Sequence, residues 1–194
     1  MTNELISLFA TPLWVFKIED PYFLNKKLQV DSTQYTLHSW NFLDLPGEGI
    51  SELKEFVYNS VEQVARERNW EYSSLLVRSR QNPMLPGEYD SPHHHPDSDL
   101  LGIYYLKTPN NCGDIQFLDS RGSVSTRWQE PLIQNDGAFR SARAFFKIKP
   151  ESGTLLLFPS YLIHSVEPNI SNDVRISIVF EFKFVQERNI NEYR

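Results

Sequence analysis

Cysteine is almost absent: the single thiol, Cys112, rules out an internal disulfide in a chain of 194 residues and fits a reducing compartment. No apolar run approaches the roughly 20 residues that span a bilayer. Met1-Thr2-Asn3-Glu4 supplies neither the basic segment nor the apolar core of a secretory signal. These absences lead us to expect a soluble, cytoplasmic protein, with the sequon Asn169-Ile170-Ser171 a chance match. Positive charge is also short, with 19 basic against 25 acidic residues and a net charge of −6, which argues against a bulk grip on a nucleic-acid backbone. Glycine is sparse, and neither an internal repeat nor a low-complexity segment is visible.

What is present is a chain long enough to form one domain with a core that needs no staple, so any metal would be functional rather than structural. Aromatic residues make up 13% of the sequence and fall in runs rich in strand formers. The run from Leu5 to Ile18 is broken by Pro12, which confines it to an edge strand or a bend. Asp20-Pro21 starts a short helix with Tyr22, Phe23, Leu24 and Leu28 as its apolar set. Ile50 to Asn69 is the clearest helix: Ile50, Leu53, Phe56, Val57, Val61 and Val64 recur at helical spacing. From Leu75 onward the pattern becomes strands separated by turn residues: 75–82, 100–107, 114–118, 144–148, 154–158 and 175–185. Residues 83–92 read as a loop, and 120–144 as a long polar loop carrying Arg121, Arg127, Trp128 and Arg140.

In the last strand, Ile176, Ile178, Phe180, Phe182 and Phe184 share one face, and Arg175, Ser177, Val179, Glu181 and Lys183 the other. Two faces used so differently imply a sheet with helices behind it and a polar cavity in front. The expected architecture is mainly β: a jelly roll, or double-stranded β-helix of the cupin type, with N-terminal helices on the outer face of its major sheet. It forms a single domain over 1–194: a strand and supporting helices in 1–72, the barrel in 73–185 and a polar tail in 186–194.

Three of the five histidines stand together as His93-His94-His95, just before the apolar run that starts at Leu100. On a strand, residues two apart share a face, so His93 and His95 can point at one spot while His94 looks away. His164, entering a later strand, completes a set suited to a metal at the mouth of the barrel. His38 has no such company and reads as a surface or packing residue.

The order of motifs resembles the Fe(II) and 2-oxoglutarate (2OG)-dependent oxygenases, and a subgroup with the pattern His-x-His-Pro-x-Ser, a Gly-x-Tyr-Tyr-Leu strand, Phe-Pro-Ser, a histidine and Arg-x-Ser. Here these are His93 to Ser98, Gly102 to Leu106, Phe158-Pro159-Ser160, His164 and Arg175-Ile176-Ser177. The resemblance covers roughly residues 75 to 185. It implies a hydroxylase that uses Fe(II), O₂ and 2OG on a substrate these motifs do not name. His93, His95 and His164 would hold the iron on one face. Arg175 would take the distal carboxylate of 2OG, aided by Ser177 and Tyr105.

Most members of the superfamily have His-x-Asp or His-x-Glu where this chain has His93-x-His95. An alternative register, His95, Asp97 and His164, restores the carboxylate. Two other functions stay open on sequence alone. One is a cupin-like three-histidine metalloenzyme that does not use 2OG; the other is a non-catalytic jelly-roll binding protein.

Overall fold

The structure, a computed structural model, describes residues 10–32, 41–118 and 145–186. His38 and the 120–144 segment lie outside these residues, as does nearly all of the 186–194 tail. The described elements are β1 (Trp14–Lys17), α1 (Tyr22–Ser32), a short 3₁₀ turn (Phe42–Asp44), α2 (Glu48–Glu67), β2 (Ser74–Met84), β3 (Asp90–His93), β4 (Leu100–Lys107), β5 (Ile115–Leu118), β6 (Phe145–Ile148), β7 (Thr154–Pro159), β8 (His164–Val166) and β9 (Arg175–Val185).

The strands form two antiparallel sheets, a larger one in the order β1-β7-β4-β9-β2 and a smaller one in the order β3-β8-β5-β6. β1 sits at an edge, and Pro12 precedes it outside the ladder, so the strand covers only the last part of the expected 5–18 run, of which residues 5–9 lie outside the described residues. The larger sheet separates two cores. On its outer face, Ile50, Leu53, Val57, Val61 and Val64 of α2 pack with Ile178, Phe180 and Phe182 of β9. All eight of these side chains are at most 1% exposed, and full burial of each contributes about 1.5–3 kcal/mol. On its inner face, Leu101, Ile103 and Tyr105 meet Ile115 and Phe117 of the smaller sheet, with Val179 between them.

The two tyrosines of β4 therefore face opposite ways. Tyr104 points outward and donates its hydroxyl to Asn25 Oδ1 at 2.6 Å, while Asn25 Nδ2 donates to the Leu106 carbonyl at 3.1 Å, which docks α1 on the sheet. Tyr105 points into the barrel. Two local expectations change. Tyr22 and Phe23 are 63% and 67% exposed, so the buried stripe of α1 is Leu24, Asn25 and Leu28. The 83–92 segment is not all loop: β2 runs through Pro83 to Met84, and β3 begins at Asp90. Among the described residues, no helix is long and apolar enough to cross a membrane. Asn169 of the sequon is fully buried, its amide donating to the carbonyls of Met84 and Asp173.

Candidate metal centre

Strand register brings the distant histidines together. β3 pairs with β8 so that His93 lies directly across from His164, and β5 places Phe117 on the other side of His164. His95 arrives by a different route from the one its spacing suggested: β3 ends at His93, and His95 belongs to the loop that follows. That loop is pinned to the end of β7. His95 N–H donates to the Ser160 carbonyl at 3.0 Å, Ser160 N–H donates to the Asp99 carbonyl at 3.2 Å, and the Ser160 hydroxyl donates to the Ser98 carbonyl. The serines of the His-x-His-Pro-x-Ser and Phe-Pro-Ser motifs thus stitch two remote segments into one wall.

The ligating atoms of His93, His95 and His164 lie within 4.8 Å of one another. Each Nδ1 is already engaged: with the Ser91 carbonyl at 2.7 Å, with Glu181 Oε1 at 2.7 Å and with the Leu162 carbonyl at 2.9 Å, respectively. Carbonyl and carboxylate oxygens only accept, so each Nδ1 carries the proton and each Nε2 presents a lone pair. Partners of this kind are what orient histidines around a metal. Burial pushes the pKa of His164 down to about 3, against the opposing pull of the Leu162 carbonyl. His95 is lowered too, chiefly by burial and in spite of Glu181. Neutral imidazoles are the form that binds a cation. His164 is 3% exposed with Phe158 packed edge-on at 5.1 Å, whereas His93 and His95 are partly open to solvent.

The alternative register is not assembled. Asp97 is exposed and stands outside the cluster. His94 faces an open groove of about 980 Å³ lined by Trp70, Asp99 and Tyr161.

Arg175 lies on the inward face of β9 and is 2% exposed. It reaches this position by a crossing between sheets, since β8 and β9 belong to different sheets and form no hairpin. The neighbouring acid, Asp173, pairs with Lys107 instead. Arg175 Nη1 approaches Met84 Sδ at 3.8 Å, and its guanidinium carbon stands 5.2 Å from the centre of the Tyr105 ring. Among the described residues, Arg175 Nε and the Tyr105 hydroxyl are buried with no hydrogen-bond partner. Burial raises the Tyr105 phenol to about 12, with the nearby Arg175 charge opposing the shift, so the hydroxyl keeps its proton. Ser177 is buried beside them and donates to the Asn82 carbonyl at 3.5 Å.

A barrel interior with a guanidinium that forms no ion pair and a phenol that finds no hydrogen-bond partner among the described residues fits a dicarboxylate, and three convergent imidazoles fit Fe(II). The sequence over residues 79–181 matches the family model described as "Putative 2OG-Fe(II) oxygenase". The chain belongs to this family. It is therefore an oxidoreductase that works with Fe(II), O₂ and 2OG, which sets aside the 2OG-independent and non-catalytic readings. No curated protein matches the sequence. Among solved structures, a prolyl-4-hydroxylase from Pseudomonas putida shares 12% identity at a TM-score of 0.62, over 92% of this chain and 89% of that one. HygX from Streptomyces hygroscopicus, solved with nickel and 2-oxoglutarate bound, shares 11% identity at 0.58, over 92% and 85%. AviO1 from Streptomyces viridochromogenes Tue57 shares 10% identity at 0.57, over 89% and 90%. These likenesses establish the jelly-roll fold.

Glu181 is the site residue that the motifs did not announce. It is 6% exposed, accepts from His95 Nδ1 and also pairs with Arg78. The available signal was the one carboxylate of β9, on the strand's cavity-facing side together with Arg175 and Ser177.

Proposed function

We propose that His93, His95 and His164 are the iron ligands of this oxygenase, that Arg175 binds the distal carboxylate of 2OG with help from Tyr105 and Ser177, and that the reaction is hydroxylation of a C–H bond. The observation that carries this reading is the convergence of three imidazoles, each with Nδ1 occupied and Nε2 free, in one barrel with a buried arginine that has no ion-pair partner among the described residues and whose Nε has no hydrogen-bond acceptor there. When bound, Fe(II) supplies the place where O₂ is activated and 2OG decarboxylated.

The chain's own part is orientation and exclusion. Ser91, Glu181 and Leu162 hold the three rings in a single tautomer. The planar fork of Arg175, always charged, offers a carboxylate two parallel donors in a site walled off from water. The Tyr105 hydroxyl, held protonated, adds a donor that no group among the described residues claims. Phe117, Phe158 and Val179 keep the interior apolar, so charges within it interact strongly. The single thiol, Cys112, is buried and unpaired, which suits a reducing cytoplasm where iron stays ferrous.

Anaerobic addition of Fe(II) and then 2OG to metal-free protein tests the assignment. A weak visible charge-transfer band is expected from the wild type but not from His164→Ala. A full-strength band in that variant refutes the ligand set.

A further inference from the structure

Glu181 lies on the inward face of β9, opposite Arg78 of β2. A carboxylate buried to this degree keeps its charge only with partners, and it has two. Arg78 Nη2 donates to Oε2, and His95 Nδ1 donates to Oε1 at 2.7 Å. The other two imidazoles of the cluster lean on backbone carbonyls, which carry no net charge. His95 is thus singled out as the one ring backed by an anion.

Three neutral imidazoles bring no negative charge to a divalent cation. Glu181 sets one negative charge a single hydrogen bond behind the cluster, and a carboxylate in that position makes a ligating histidine more basic. Arg78, 53% exposed on the far side of the carboxylate, draws on the same charge.

We propose that Glu181 is the charge-balancing and positioning residue of the metal centre, acting on the metal through His95 Nδ1, and that Arg78 sets how much of its charge the metal feels. The inference rests on the reading of His93, His95 and His164 as ligands.

The test titrates the metal-free full chain with Co(II), read by calorimetry and by visible d–d absorption, in wild type, Glu181→Gln and Arg78→Met. Glutamine keeps an oxygen that accepts from His95 Nδ1 but has no charge. Glu181→Gln should bind Co(II) about 10- to 100-fold more weakly, with a displaced d–d band. Arg78→Met should bind it more tightly than wild type, because one cation near another has been removed. Wild-type affinity and an unmoved band in Glu181→Gln overturn the proposal and leave the ligand assignment standing. A wild type that takes up no Co(II) overturns both. Should Glu181→Gln fail to fold, Arg78→Met decides alone: unchanged or weaker binding overturns the proposal.

Discussion

Replacing Arg175 should move stability and co-substrate affinity in opposite directions. In the described structure the guanidinium is 2% exposed, its Nη1 donates to the Met84 sulfur at 3.8 Å, its carbon stands 5.2 Å from the centre of the Tyr105 ring, and no carboxylate among the described residues forms an ion pair with it. A cation over an aromatic ring contributes about 0.5–2 kcal/mol. The effective penalty for burying an ion is several kcal/mol, so the apo protein holds this charge at a net cost. Arg175→Met fills similar volume without charge and should stabilise the apo chain by about 1–2 kcal/mol, or roughly 2–8 °C for a domain of this size. The same change removes the fork meant for a carboxylate. Truncating one member of a buried charge pair costs about 2–4 kcal/mol, which corresponds to roughly 30- to 900-fold weaker 2OG binding. Arg175→Lys should recover part of this loss, since a point charge remains but the paired donors do not. Differential scanning fluorimetry with and without Fe(II) and 2OG reads both effects: the co-substrate should raise the midpoint of wild type and leave that of Arg175→Met unmoved. A destabilised Arg175→Met that still binds 2OG like wild type would refute the reasoning.

Further outcomes follow from the same geometry. The folded-state pKa of His164, about 3, lies below its unfolded value, so its contribution to stability is complete above about pH 6.5 and is lost as pH falls. Chemical denaturation of metal-free protein should show about 2 kcal/mol more loss between pH 6 and 4.5 in wild type than in His164→Gln; parallel curves would contradict this. The adjacent tyrosines should separate cleanly. Tyr104→Phe breaks a buried hydrogen bond to Asn25 and should cost about 1 kcal/mol of stability with 2OG affinity unchanged. Tyr105→Phe deletes a buried hydroxyl that has no partner among the described residues and should leave stability unchanged or slightly raised while weakening 2OG about 2- to 10-fold by calorimetry. Gly113 has a φ of +88°, and an added Cβ would overlap the Glu167 carbonyl oxygen, so Gly113→Ala should lower unfolding free energy by at least about 2 kcal/mol.

Much of this arrangement was legible because period-2 alternation is strict in β9. Phe180 and Phe182 could only meet the helices if Arg175, Ser177 and Glu181 faced the cavity, and they do. The α2 stripe was equally plain, since Leu53, Val57, Val61 and Val64 repeat at helical spacing. His95 was harder. Its convergence with His93 depends on a loop clamped by Ser98 and Ser160, contacts between segments some sixty residues apart that no local pattern encodes. The partnership of Glu181 with His95 and Arg78 was hidden for the same reason, because cross-strand register decides it. Tyr22 and Phe23 misled in the other direction: apolar residues at a helix start need not be covered, and about two-thirds of each remains in water.

The most direct measurement is X-ray absorption at the iron edge of the Fe(II)-loaded protein, counting imidazole scattering paths in wild type and in His164→Ala. Three imidazoles falling to two on substitution is the expected result. Two imidazoles in wild type together with a carboxylate, unaltered by the change at position 164, would contradict the three-histidine centre.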